Sequence, residues 1–478
     1  MAFQEFYVDA ATGSNINAGD DKTVVTSTNG DWDNASSNRF TAASGTPFSG
    51  VAVGDYASVY LDGASLAVFI GRVTAVNGGG ASLDISNTIK GGTKPSAGAT
   101  GRTCTVGGKW AGPSGSVGFP FNFVNGAMTK VTTGDIPRVN FKNGTSYLPT
   151  SAMTHTLAGP VVFQGYTSTV GDGGRATIDG STNAIVLFTV STGAGNEFID
   201  FIFTNPAASG TNALVVSSSA ATCWRRCVFH SCRSTGLNLS SGSAIECEAY
   251  GCNSANSSGI AAFAANNGVE FVRCIAHDNT GANNSGFVTG SFQSFCYFTE
   301  CVSETNGKDG ITVNGSAFVK ISKCDFYNNT GSGIVINNSS GLGAATANVT
   351  IESGNFIKNG AYGINGTGAG ERIGEIRNCG FGSGTAANTS GTTTGLKGIV
   401  ETGSVTYGSN LLPWVDAPNG DFRINLAAAK GAGRGTFTQT ASSYAGAVGY
   451  PDIGSNQHAD AGSSSVKFDG GMVGGMRG

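Results

Sequence analysis

The sequence predicts an all-β protein, a parallel β-helix solenoid with a small antiparallel β insertion near the N-terminus and a C-terminal cap. Three observations predict it. Glycine supplies 75 of the 478 residues and charged residues only 12%, which suits short strands joined by tight turns and not a helical bundle. A column of cysteines, Cys227, Cys247, Cys274, Cys301, Cys324 and Cys379, recurs at steps of 20 to 30 residues, with Gly354 standing in between the last two. Five positions after each comes a second column, Cys232, Cys252, Asn279, Asn306, Asn329 and Asn359, and a glycine then opens the next strand at Gly236, Gly259, Gly286, Gly310, Gly333 and Gly363. Repeats of this length without helical period mark stacked coils, each covering the open face of its neighbour.

Taken in chain order, residues 1–47 hold an N-terminal segment and a first strand. Residues 48–111 read as alternating strands between Gly-rich turns, at 54–61, 66–76, 82–86 and 103–108, a small antiparallel sheet or barrel placed to cap the first coil. The parallel β-helix occupies 112–403. Residues 404–460 form the C-terminal cap, with a short helix expected at 426-LAAAK-430, and 461–478 is a Gly/Ser-rich tail.

Within the solenoid, apolar residues three places before each cysteine (Trp224, Phe271, Phe298, Ile321, Ile351, Ile376) and two places after it (Phe229, Ala276, Phe326, Phe356, Phe381) are expected to point inward on either side of a bend. Stacked coils lie about 4.8 Å apart, so equivalent side chains form ladders along the axis. Cysteine, small and apolar, suits an inward rung. Asparagine suits the turn column, because it tolerates left-handed backbone and its amide can bond the backbone and the amide above. The residues just before the cysteines, Arg226, Glu246, Arg273, Glu300 and Lys323, alternate in sign and read as a stabilising charge ladder.

Composition removes several function classes. The net charge is −4 and no basic block occurs, so nothing supports nucleic-acid binding. No stretch is long and apolar enough for a membrane span, and the opening MAFQEFYVDA carries no secretory signal pattern, which predicts a soluble protein made in the cytosol. Eleven cysteines in that setting are expected as reduced thiols, and the Asn-x-Ser/Thr triplets at Asn256, Asn283 and Asn348 as turn residues.

The chemistry-bearing candidates are few. Cys227, Cys232, Cys247 and Cys252 make a C-x4-C pair of pairs, but an extended gap of five residues spans roughly 16 Å, too far for two thiolates on one tetrahedral metal. Cross-rung disulfides (Cys227 with Cys247, Cys232 with Cys252) fit better sterically but not the reducing compartment. Neither a metal nor a cofactor is expected. 171-GDGG-174 and 331-GSG-333 are turns and not phosphate loops. Outward positions of adjacent coils carry Glu248, Tyr250, His277, Glu304, Asp325 and Tyr327. Among them Glu248, His277 and Glu304 are the candidate catalytic residues: His277 and Glu304 share one register, three after the cysteine, and an acid/base pair needs such neighbours.

This pattern, clearest over 196–381, resembles the right-handed parallel β-helix of the pectate-lyase-like superfamily, whose coils read as a strand, an Asn or Cys at the bend, then "NN…GI". The segments 6-FYVDAATGSN-15, 160-PVVFQGYTSTVGDGGRATIDGS-181, 421-DFRIN-425 and 450-YPDIGSNQHAD-460 resemble phage-associated members of it. The resemblance implies a virion location, contact with other virion proteins, contact with host surface polysaccharide, and a homo-oligomer, in such proteins often a trimer. The leading expectation is a non-enzymatic structural virion protein, a spike, fibre or capsid decoration. The alternatives are a polysaccharide lyase or glycoside hydrolase of tailspike type and a carbohydrate-binding adhesin.

Overall fold

The computed structural model describes residues 3–14, 17–33, 38–61, 69–86, 90–91, 98–112, 136–155, 160–181, 183, 185–190, 195–205, 215–253, 261–290, 295–314, 318–337, 347–367, 372–382, 387–390, 400–402, 405–406, 414–416 and 421–424. These residues contain strands and turns and no helix, so no helix long and apolar enough to cross a membrane. The expected helix at 426–430, the tail at 461–478, Gly259 and most of the 404–460 cap lie outside the described residues. In that cap region Val405–Thr406 adds a strand to the solenoid, and Trp414–Asp416 pairs antiparallel with Asp421–Ile424.

The solenoid winds right-handed. A coil has three strands, as in Ile311–Asn314, Phe318–Ser322 and Asp325–Tyr327, each paired in parallel with its counterpart one coil on; in Val215–Arg225 and Leu237–Ile245 the first two run together as one. We call the three sheets leading, central and trailing. The trailing sheet has ten strands, five of them three residues long, and in these the middle residue points inward. The inward rows are those expected. Trp224, Ala244, Phe271, Phe298, Ile321, Ile351 and Ile376 stand in one register on the central sheet, and Phe229, Ala249, Ala276, Ser303, Phe326, Phe356 and Phe381 in another on the trailing sheet. Rings stack where they succeed one another, Phe198 on Trp224 at 4.0 Å and Phe326 on Phe356 at 4.9 Å. Where the trailing row shrinks to Ala249 and Ala276, Phe263 and Phe287 of the leading sheet fill the space, stacked at 5.1 Å.

Both corners of the trailing strand turn through one residue of left-handed backbone. At the first corner it is the residue before the cysteine: Arg226, Glu246, Arg273, Glu300 and Lys323 all have φ between 51° and 56°. At the second it is Ser231, Asp278, Thr305, Asn328 and Lys358, with φ from 51° to 54°. The asparagine column was expected to supply this conformation itself. It sits one residue later, because the left-handed residue must point outward while the next turns its side chain in. Asn279, Asn306, Asn329 and Asn359 are buried, and each amide donates to the next oxygen, at 2.7, 2.9 and 3.0 Å. Asn306, Asn329 and Asn359 also donate to the carbonyls of Ala276, Ser303 and Phe326 one coil back. At the first corner the charges alternate in contact: Arg273 lies 2.8 Å from Glu246 and 3.9 Å from Glu300, and Lys323 lies 3.8 Å from Glu300.

All eleven cysteines are free thiols. Those of the first column point inward, and each donates weakly to a carbonyl of the preceding coil, Cys301 to Phe271 at 3.4 Å. Burial pushes the thiols of Cys227, Cys274 and Cys324 well up, which keeps them neutral. The C-x4-C spacing is the distance between the two corners of a coil, so its thiols belong to separate columns. The glycine that opens the next strand is required by close approach and not by positive φ: a Cβ on Gly310 would lie 2.4 Å from the Gly333 carbonyl oxygen and 2.6 Å from the Phe326 ring. Gly310→Ala is expected to cost about 2 kcal/mol, as overpacking does, read as a lowered denaturant midpoint with an unchanged slope.

The insertion is a closed antiparallel ring of six strands, Tyr56–Leu61, Ala99–Val106, Val25–Asp33, Arg39–Thr41, Ser82–Ile85 and Phe69–Asn77, which returns to Tyr56–Leu61. It draws two strands from before residue 48, and its core includes Trp32, Phe40, Phe48, Phe69 and Leu83. Tyr56 and Ile70 face the other way and join the solenoid core. Phe6 of the first strand, Phe3–Val8, stacks on Tyr56 and on Trp110, both at 5.2 Å. The barrel thus covers apolar surface at the start of the solenoid, the place expected of a cap.

Candidate functional site

On the trailing sheet the residues either side of the inward one face out, so the third residue after each cysteine forms an outer row. His230, Tyr250, His277, Glu304 and Tyr327 stand there in unbroken register. The first three stack as rings, His230 on Tyr250 and Tyr250 on His277, each pair at 5.0 Å.

The three candidate residues come together on this face, His277 and Glu304 in this row and Glu248 in the row beside it. His277 Nε2 lies 2.9 Å from Glu248 Oε1, and its Nδ1 lies 2.9 Å from Asp278 Oδ2. Glu304 occupies the next rung beside His277. Burial works against a charged imidazole at His277, but the hydrogen bonds to Glu248 and Asp278 outweigh it and raise its pKa. The His277 bond, opposed by burial, holds the Glu248 carboxyl below the usual range, with Arg175 and His230 assisting. Glu304 goes the opposite way. Burial pushes it up to about 7, with Asp278 adding to the rise and the His277 charge opposing it. Burial also lowers His230.

These shifts make stability depend on pH. The raised Glu304 is favoured in the fold while protonated, so its contribution is lost as pH rises from its unfolded value of about 4.5 through 7. The raised His277 likewise contributes below about 6.5 and loses that contribution as pH rises through its folded value. Both push the same way. The depressed Glu248 acts only at the acid end, where its contribution is lost as pH falls below its unfolded value. The denaturant midpoint is expected to fall between pH 5.5 and 8.5, and Glu304→Gln should recover about 2 kcal/mol at the alkaline end after allowance for screening. An equal midpoint at both ends would refute the burial of this carboxyl.

Two other outward candidates are placed differently from expectation. Asp325 is fully buried, accepting from Asn355 Nδ2 at 2.8 Å, and Tyr327 is buried with the Lys358 ammonium 5.8 Å from its ring centre. Neither stands open beside Glu304. Asp278, Arg175 and His230 are the members that the sequence reading missed. Asp278 was legible in principle, since a corner residue with left-handed backbone points outward beside its neighbour. Among the described residues no set of three or more His, Cys, Asp or Glu is arranged to hold a metal ion.

A family model described as "Right handed beta helix region" matches residues 183–346. A search of curated protein sequences finds no match. Among solved structures the chain is similar to pectate lyase Pel9A, at 15% identity and a TM-score of 0.49, with 73% of this chain and 96% of that chain covered. It is similar at 13% identity and a TM-score of 0.37 to the catalytic unit of a thermostable GH87 alpha-1,3-glucanase from Streptomyces thermodiastaticus strain HF3-3, with 78% and 89% covered. It is similar at 12% identity and a TM-score of 0.29 to ORF18 of Geobacillus virus E2, with 60% and 56% covered. At these identities the likeness is one of winding.

Proposed function

We propose that the outer face of the trailing sheet binds a polysaccharide and hydrolyses it, with Glu304 as proton donor and Glu248 as the ionised carboxylate. One observation carries this reading: two carboxyls on one face, on the rungs either side of His277, are driven in opposite directions, Glu304 up to about 7 and Glu248 down. Such a split gives the acid and the base of glycoside hydrolysis, one protonating the leaving oxygen and the other activating water. His277, held at both nitrogens, acts as a positioning residue that fixes Glu248 and keeps a positive charge beside Glu304. The stacked His230, Tyr250 and His277 rings give a sugar an apolar edge to lie along.

The charge balance bears on substrate class. Among the described residues the cationic groups acting on Glu248 are His277, Arg175 and His230, and the one acting on Glu304 is His277, a balance that suits a neutral or amino-sugar glycan. Elimination from a uronate needs its carboxylate neutralised, and a site dominated by acids opposes that. The proposal therefore departs from the leading expectation of a purely structural rod. A virion location and a host surface polysaccharide as target remain part of it, supported by the resemblance of 6–15 and 160–181 to phage-associated chains.

The test is a reducing-end assay of the full chain on neutral, amino-sugar and uronate glycans, beside Glu304→Gln. Cleavage of a neutral or amino glycan, falling above pH 7 and reduced at least about 100-fold in the variant, is the expected result. Binding without cleavage by the native chain would leave an adhesin. Neither binding nor cleavage would return the protein to a structural role.

A further inference from the structure

The central sheet carries a second feature, on another face of the coil from Glu304. Phe295, Tyr297 and Phe318 are large, apolar or aromatic, and 54%, 45% and 47% exposed, on two successive rungs. Phe295 and Phe318 stack at 5.2 Å. Among the described residues elsewhere on this sheet apolar rings point inward, so three outward rings together form a patch that a lone solenoid leaves in water.

The charges around the patch define what covers it. Glu270, Tyr297 and Lys320 stand in one outward row on three consecutive rungs, and Glu270 and Lys320 are exposed. Lys320 also lies 3.2 Å from Glu352, a half-buried carboxylate that Arg377 approaches as well, at 3.7 Å. We propose that the patch is the interface of a dimer with a second copy of this chain, formed about a two-fold axis that runs along the Phe295–Thr299 strand through Tyr297. That axis reverses the order of rungs, so Glu270 meets Lys320 of the partner subunit, twice, and Tyr297 meets its own copy. It also lays Phe318 over Gly268 of the partner subunit. Gly268 is the residue one rung before Phe295 in the same row, exposed and with open space where a Cβ would be. A dimer with parallel solenoid axes keeps each rung level with itself. It would set Glu270 against Glu270 and Lys320 against Lys320, which like charges oppose.

Sedimentation equilibrium of the full chain is expected to show a monomer–dimer equilibrium, weakened at least tenfold in Lys320→Glu or Phe318→Ala. The double variant Glu270→Lys with Lys320→Glu should return to within about threefold of the native constant, since it exchanges the charges across the same contacts. Geometry is tested by oxidising variants that each add one exposed cysteine to a chain whose own eleven are buried or, at Cys223, part-buried. Glu270→Cys mixed with Lys320→Cys is expected to give a covalent dimer, and neither variant alone. Covalent dimers from each variant alone would mean parallel axes and overturn the proposal, as would a trimer. A monomer at about 100 μM would overturn it too, and a monomer that loses glycan retention on Phe318→Ala would assign the rings to sugar instead.

Discussion

Cys301→Asp should unfold the middle of the solenoid. Cys301 is 2% exposed, between Cys274 and Cys324; its thiol donates to the carbonyls of Phe271 and Thr299, and the Cys274 backbone and the two neighbouring thiols stand against it. A carboxylate there would meet two carbonyls and weak thiol donors with no cation, and so poorly paired a buried charge costs about 4 kcal/mol or more. Protonation would relieve part of that, so the loss should shrink between pH 8 and pH 5. Cys301→Ser keeps a donor for the same carbonyls and should cost about 1 kcal/mol. Denaturant titration of the three proteins at both pH values checks this. An aspartate variant as stable as the native chain would show that the column does not face inward.

The second large effect is expected from Asn306→Leu. Asn306 accepts from Asn279 at 2.7 Å and donates to Ala276 O, Ser303 Oγ and Asn329 Oδ1. Leucine would strand the Asn279 amide and the Ala276 carbonyl in a dry interior, at about 1 to 3 kcal/mol each. The total should reach about 3 to 4 kcal/mol. Asn328→Gly, at the corner one rung on, should be close to neutral, because that position needs left-handed backbone and its side chain faces out. The pair of variants separates the two jobs. If Asn328→Gly proved the costlier, the ladder would not be what holds the corner.

The fold was readable because each coil repeats the same tasks at the same places. An inward cysteine or phenylalanine must match the rung above it, so the columns survive insertions that shift the spacing from 20 to 30 residues. The corners misled by one position, since the left-handed residues Arg226, Asp278 and Lys358 carry no composition signal of their own. The strand Val25–Asp33 was missed for a similar reason: its register slips twice near Gly30, which breaks the alternation that marks a strand. For the site, Glu248, His277 and Glu304 could be placed in neighbouring registers from spacing alone. The burial that separates Glu304 from Glu248, and the burial of Asp325, depend on packing that one strand's sequence does not record. The stretch 295-FCYFT-299 is apolar on both faces, so it could not say which rings stay in water.

The first strand carries a consequence for how the chain is made. Coil-to-coil pairings join residues 20 to 30 apart and can form as each coil leaves the ribosome. Phe3–Val8 pairs instead with Ile136–Lys142, on the far side of the whole barrel. Phe3–Val8 is therefore made well before its partner strand and must wait for it, and until the two pair, that edge of Ile136–Lys142 stands open. The Phe3–Val8 segment of any copy can fill that edge, its own or a neighbour's on the same polysome. Yield on expression should then depend on how fast the barrel closes.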